Sequence, residues 1–245
     1  MRGAMATDDT HEIEVEGLSK SFGRRPALHE VSFCVQAGGF LSIFGPNGAG
    51  KTTILRILAT LLRPSGGRAS VAGHDVREDP MPVRAAIGVV SHEALLYGDL
   101  TAHENLRFYA DMYGLADRES RIGELLERLE LSHRRDDLVR TFSKGMRQRL
   151  AIARAILHRP RVLLLDEPYA GLDPRAAGIL DGLLAEIRPD HTFVMVTHAL
   201  EKGLELATQA IIIEAGEVVF QSAGPVDAAE FAVVYREHVA EGAVA

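Results

Sequence analysis

Apolar and polar positions divide this chain into alternating stretches, uniformly apolar runs and helical stripes. Ile13, Val15 and Leu18 are spaced by polar residues, which predicts a half-solvated strand. Residues 1–10 before it read as an unstructured leader. Residues 19–26 are rich in turn formers and read as a connection, with Phe22 standing alone in it as either a core plug or a flat surface for a base. Residues 31–35 alternate again, and Cys34 among them reads as a small core residue rather than a nucleophile. Residues 40–44 are mostly apolar and read as a buried strand. Residues 54–58 continue as a helix that Arg63-Pro-Ser-Gly-Gly67 ends. A short strand over 68–71, a turn over 73–75 and a strand over 87–90 follow.

The character then changes. Thr101-Ala-His-Glu104 has capping-box spacing, and 105–113 reads as the helix behind it. Ile122, Leu125, Leu126 and Leu129 keep helical spacing. Tyr97, Phe108, Tyr109 and Tyr113 gather here, and both ordinary packing and a partner-docking surface fit them. A helical satellite from about residue 93 to 157 is expected, inserted between core strands. Ser143 opens a helix with Met146, Leu150, Ala153 and Leu157 on one face, stopped at Arg159-Pro160. Residues 162–165 are too apolar for an edge strand. Residues 175–187 and 201–208 read as helices, 193–197 as a core strand, 211–213 and 218–220 as a hairpin, and 227–238 as a last helix. Alternating strands and helices predict an α/β core with a mostly parallel sheet.

Composition narrows the function classes. The chain has 245 residues, 47% hydrophobic and 25% charged, enough for one domain or a core with a small satellite. Its net charge of −7 argues against a general affinity for nucleic acid. Cys34 is the single cysteine, so no intrachain disulfide forms. There is no apolar run of roughly 18 residues, so the sequence predicts no membrane span and a cytoplasmic location unless a partner holds it at a membrane.

The chemistry is concentrated at predicted strand ends. Gly45, Pro46, Asn47, Gly48, Ala49, Gly50, Lys51 and Thr52 fit the phosphate-loop pattern, followed by Thr53 and set between a strand and a helix. Its glycines let backbone N–H groups wrap a phosphate, and the helix start adds free amides. Lys51 would reach the β- and γ-phosphates and Thr52 would ligate Mg²⁺. Asp166 and Glu167 end an apolar strand. Two such carboxylates are costly without a cation, so Asp166 can hold Mg²⁺ opposite Thr52 while Glu167 orients or deprotonates water. His198 ends a neighbouring strand and is either a satisfied core histidine or a partner of the γ-phosphate. Ser143 and Gly145 offer a second anion-binding helix start, or a plain cap. Two chains set head to tail would use both surfaces on one ATP. Asp173 would then lie at the seam, unless it is simply a turn aspartate.

These motifs together resemble the ATP-binding subunit of an ATP-binding-cassette transporter, over residues 13–220. Residues 45–52 resemble Walker A, 162–167 Walker B with its glutamate, Gly171-Leu-Asp173 the aspartate loop and His198 the switch histidine. Phe22 falls where that family stacks an aromatic on adenine. Phe142-Ser-Lys-Gly-Met146 departs from the usual Leu-Ser-Gly-Gly-Gln signature at three positions, and His92 replaces a glutamine that senses Mg²⁺. The resemblance implies a P-loop NTPase core in a nucleotide-binding domain over residues 11–245, with a mostly parallel sheet, N-terminal antiparallel β elements and an inserted helical subdomain. It implies Mg²⁺-dependent ATP hydrolysis, a second copy as partner and transmembrane permease subunits, with no nucleic acid. The protein would then sit at the cytoplasmic face of the inner or plasma membrane. Residues 90–101, 142–150 and 197–206 are most similar to the haem exporter ATPase of bacterial cytochrome c maturation. A drug or lipid exporter is the main alternative, and a soluble cassette ATPase acting on DNA or the ribosome a third.

Overall fold

Two sheets meet across one apolar layer, and side-chain alternation decides which residues enter it. The computed structural model describes residues 11–91, 94–222 and 224–241. In chain order the elements are β1 (His11–Phe22), β2 (Arg25–Gln36), β3 (Phe40–Phe44), α1 (Lys51–Leu58), β4 (Gly66–Val71), β5 (His74–Asp75), α2 (Pro80–Ala86) and β6 (Ile87–Val90). Then come α3 (Ala102–Met112), α4 (Arg118–Arg128), α5 (Lys144–Ile156), β7 (Val162–Asp166), α6 (Pro174–Ile187), β8 (Thr192–Val196), α7 (Leu200–Glu205), β9 (Gln209–Glu214), β10 (Glu217–Gln221) and α8 (Ala228–Glu241).

A four-stranded antiparallel sheet runs β2-β1-β4-β5. A six-stranded sheet runs β10-β9-β3-β8-β7-β6, parallel except for β10. Val162, Leu164, Val194 and Val196 point to the layer shared with Ile13, Val31, Val35 and α1. Leu163, Leu165, Phe193 and Met195 point the other way, toward α3, α4, α5 and α6. Burial on both faces is why these strands are continuously apolar in sequence.

The helical region follows its expected local signals. The Thr101 hydroxyl accepts from the Glu104 amide at 3.1 Å, and Glu104 Oε2 accepts from the Thr101 amide at 2.8 Å. Ile122, Leu125, Leu126 and Leu129 are all buried.

Two expectations at the N-terminal end need correction. Residues 19–26 are not a loose connection: β1 runs to Phe22, β2 starts at Arg25, and Gly23-Arg24 makes the turn between them. Register shifts along this pair break the simple alternation and hide it in the sequence. Cys34 is only half-buried, because Val31, Phe33 and Val35 take the inward positions and leave Cys34 on the opposite face. The leader, residues 1–10, and His92 lie outside the described residues.

His158 gives the fold a pH dependence. Its ring stacks on Tyr113 at 3.9 Å, and Nε2 lies 3.0 Å from the Ile87 carbonyl. Nδ1 is buried with no hydrogen-bond partner. Burial holds the imidazole neutral, with its pKa pushed down to about 4. The unfolded imidazole takes up its proton near pH 6.5, so stability is full above that value and is lost as pH falls through the window down to about 4. The loss should reach up to about 3 kcal/mol. Urea unfolding of wild type and His158→Gln at pH 7.5 and pH 5 checks this, since the variant should lack that part of the slope.

Candidate active site

The phosphate loop joins β3 to α1 and is wedged between the two sheets. Gly45 and Gly50 have φ of 145° and 107°. A Cβ on Gly45 would strike the Ile213 carbonyl, and one on Gly50 would lie 2.6 Å from Ala27 O. Only glycine fits both the dihedral and the space. Gly216, in the β9–β10 turn, donates to Ala49 O at 3.1 Å and accepts from His29 N at 2.8 Å. One turn residue thus ties the loop to both sheets. No side chain caps α1 at Gly50, which leaves first-turn amides for an anion.

A cleft of about 240 Å³ opens over this loop, lined by Ala27, Asn47, Gly48, Ala49, Gly50, Lys51, Thr52, Thr53, Asp166, Glu167 and Val196. Lys51 folds inward and donates from Nζ to Gly45 O at 2.6 Å and Pro46 O at 2.8 Å. Burial pushes its ammonium pKa down, and the carboxylates of Glu167 and Asp166 oppose that shift. The Lys51 stem is therefore seated before any phosphate arrives, with its charge next to both acids.

Asp166 ends β7 beside Val196 of β8. The Thr52 hydroxyl donates to Asp166 Oδ1 at 3.3 Å. Two oxygen donors converging from a helix start and a strand end suit a hard divalent cation such as Mg²⁺. Glu167 leaves the strand geometry with φ of 50°, and its amide donates to Val196 O at 2.9 Å. That left-handed step takes its carboxylate out of the β7 alternation and into the cleft wall. His198 follows β8 and sets Nδ1 2.8 Å from Glu167 Oε2. Its ring is 69% exposed, so it is not a core histidine.

The remaining sequence candidates lie elsewhere. Ser143 caps α5 and accepts from Met146 N at 3.2 Å. Asp173 caps α6 and accepts from Ala176 N at 2.8 Å. A Cβ on Gly145 would lie 3.0 Å from Ala176 Cβ, so the two helix starts adjoin. The Lys144 ammonium lies against Gly171 on the same seam. None of these residues lines the cleft. Phe22 stands at the tip of the β1–β2 hairpin, 53% exposed with the Lys20 ammonium 5.2 Å from its ring centre, and does not line the cleft either. It is therefore not a core plug. Ala27 was not legible as a cleft residue, because nothing local in the sequence shows β2 crossing the phosphate loop.

A family model described as "ABC transporter" matches residues 28–170, more than half the chain, including the loop and both acids. The chain belongs to the ABC transporter family. It carries the ABC ATPase domain, an enzyme domain that uses ATP with Mg²⁺. This ABC domain is 39% identical over 210 residues to a daunorubicin resistance ATP-binding protein of Streptomyces coeruleorubidus, covering 84% of this chain and 66% of that protein. The aligned segment thus spans just under two thirds of that relative's length. A linearmycin resistance ATP-binding protein of Bacillus subtilis strain 168 is 34% identical over 84% of this chain and 68% of its own length. Among solved structures, a dimeric post-hydrolysis ATP-binding cassette bound to ADP and Pi is 28% identical, with a TM-score of 0.78 over 86% of this chain and 97% of its own.

Proposed function

We propose that this protein is the ATP-hydrolysing subunit of an ABC exporter that moves a drug or antibiotic, working as a head-to-tail pair on membrane permease subunits. The cleft supports the chemistry. Lys51 and the loop amides bind and orient the triphosphate, and Asp166 with Thr52 would hold Mg²⁺. When bound, Mg²⁺ would offset charge on the β- and γ-phosphate oxygens. Glu167 takes a proton from the attacking water as the water oxygen bonds to the γ-phosphorus and the β–γ bridging oxygen leaves with ADP. His198 holds the Glu167 carboxylate in place. Ser143, Gly145 and Asp173 act on the partner copy's nucleotide, which accounts for their position outside the cleft of their own chain.

The cargo assignment rests on the relatives named for resistance to daunorubicin and linearmycin. They favour a drug exporter over the haem exporter suggested by residues 90–101, and the cytochrome c role is set aside. Permease docking is supported by an apolar surface on the helical region. Tyr97, Phe108 and Tyr113 are exposed, as are Leu95 and Met112 of the same region. Tyr97 and Phe108 meet edge-on at 5.1 Å. Such a patch costs solvation until a partner covers it. Among the described residues no helix is long and apolar enough to cross a membrane. The test is co-expression in a drug-sensitive host with whichever membrane subunits copurify with the protein. Resistance to an apolar antibiotic should appear with wild type and vanish with Lys51→Ala; no change in resistance alongside restored cytochrome c assembly would return the haem reading.

A further inference from the structure

The turn that carries Glu167 is held from outside the cleft as well as within it. Ala170 N donates to Glu167 O at 3.0 Å, and Leu172 N to Tyr169 O at 3.1 Å. Gln148 of α5 donates from Nε2 to Pro168 O at 3.0 Å. Tyr169 packs against the apolar layer beneath the helices, and the Asp181 carboxylate on α6 disfavours ionisation of its phenol. Lys202 of α7 closes the group. Its Nζ lies 2.6 Å from Asp181 Oδ2, 3.0 Å from Glu205 Oε2 and 5.9 Å from the Tyr169 ring centre. Burial, reinforced by Asp181, holds the Tyr169 phenol protonated well above the usual tyrosine range, so it remains a donor.

None of these side chains lines the nucleotide cleft, yet they connect the two segments that form it. Ala199 alone separates His198 from α7, and α6 starts immediately after Asp173. The Glu167 and His198 segments are therefore joined twice, once at the cleft and once through Tyr169, Asp181 and Lys202. The cleft contact alone involves a largely exposed ring, and an exposed pair in water orders its partners weakly.

We propose that Tyr169, Asp181 and Lys202 form a positioning group that sets the Glu167–His198 geometry from behind the site and fixes Asp173 through the same helix. This rests on the ATPase reading above. Small displacements of a proton-accepting carboxylate cost large factors in rate while leaving nucleotide affinity intact.

The experiment measures Mg·ATP turnover of the full chain, beginning with wild type. Lys202→Met should lower kcat about tenfold and Tyr169→Phe about threefold, with KM for ATP within about twofold and melting temperature within a few degrees. In a His198→Ala background, Lys202→Met should add little further loss, because both changes act through one contact. Loss of kcat in step with melting temperature, or full additivity with His198→Ala, overturns the positioning role. So does a kcat within about twofold of wild type for both variants. No turnover by wild type at any protein concentration overturns the ATPase reading and this proposal together, whereas normal wild-type turnover with unaffected variants overturns this proposal alone.

Discussion

Glu167→Gln should abolish nearly all ATP turnover while ATP still binds. The amide keeps the size and one hydrogen-bonding oxygen for His198, which sits 2.8 Å away in the wild type. It cannot take the proton of the attacking water, so the loss is confined to the chemical step. We expect kcat to fall about a hundredfold or more, corresponding to about 2.7 kcal/mol of barrier, with ATP affinity within about threefold. Because the phosphate bridging two copies is then not released, the variant with Mg·ATP should run as a persistent dimer in size exclusion, where wild type reverts to monomer. Turnover within threefold of wild type would remove Glu167 from the base role.

Lys51→Ala should fail earlier, at binding. The ammonium is seated by two loop carbonyls and lies next to both acids. Without it, Asp166 and Glu167 face an incoming triphosphate with no compensating cation from the loop. Affinity for ATP, read by displacement of a fluorescent analogue, should drop about a hundredfold, and hydrolysis should fall below detection. Lys51→Arg should not rescue it, since a planar guanidinium cannot take the place of a compact ammonium between Gly45 O and Pro46 O. Tight binding by Lys51→Ala would place the phosphates elsewhere. The contrast between the two variants, one binding without turnover and one not binding, separates the roles of the two residues in a single set of assays.

How much of this could be read from the sequence depended on range. The phosphate loop, its strand and its helix are one continuous segment, so spacing alone defined them. Thr101 and Ser143 announced their helices because a cap acts within three residues of itself. The six-stranded sheet was legible as uniformly apolar runs, since both faces are covered. The β1–β2 hairpin was not, because its register slips several times and the polar tip resembles an ordinary turn. Cys34 is apolar enough to read as core, yet it alternates with Val31, Phe33 and Val35 and so falls on the opposite, half-buried side. The link between His198 and Glu167 was inferable from neighbouring strand ends. The Tyr169–Asp181–Lys202 group was not, because its members come from a turn and two helices that only the tertiary packing brings together. Ala27 was invisible for the same reason.

The doubly fastened turn at Gly216 bears on how a cycle of motion must be divided. With its amide on the phosphate loop and its carbonyl on β2, that residue leaves the cradle little freedom of its own. The entropy of ordering the loop is settled during folding, so ligand capture need not bear it again. Amides at Gly216 and His29 should then be among the slowest to exchange with solvent deuterium, with or without ligand. Any swing between empty and loaded forms has to be taken up by the helices beyond the sheet, with the cradle acting as the fixed bearing.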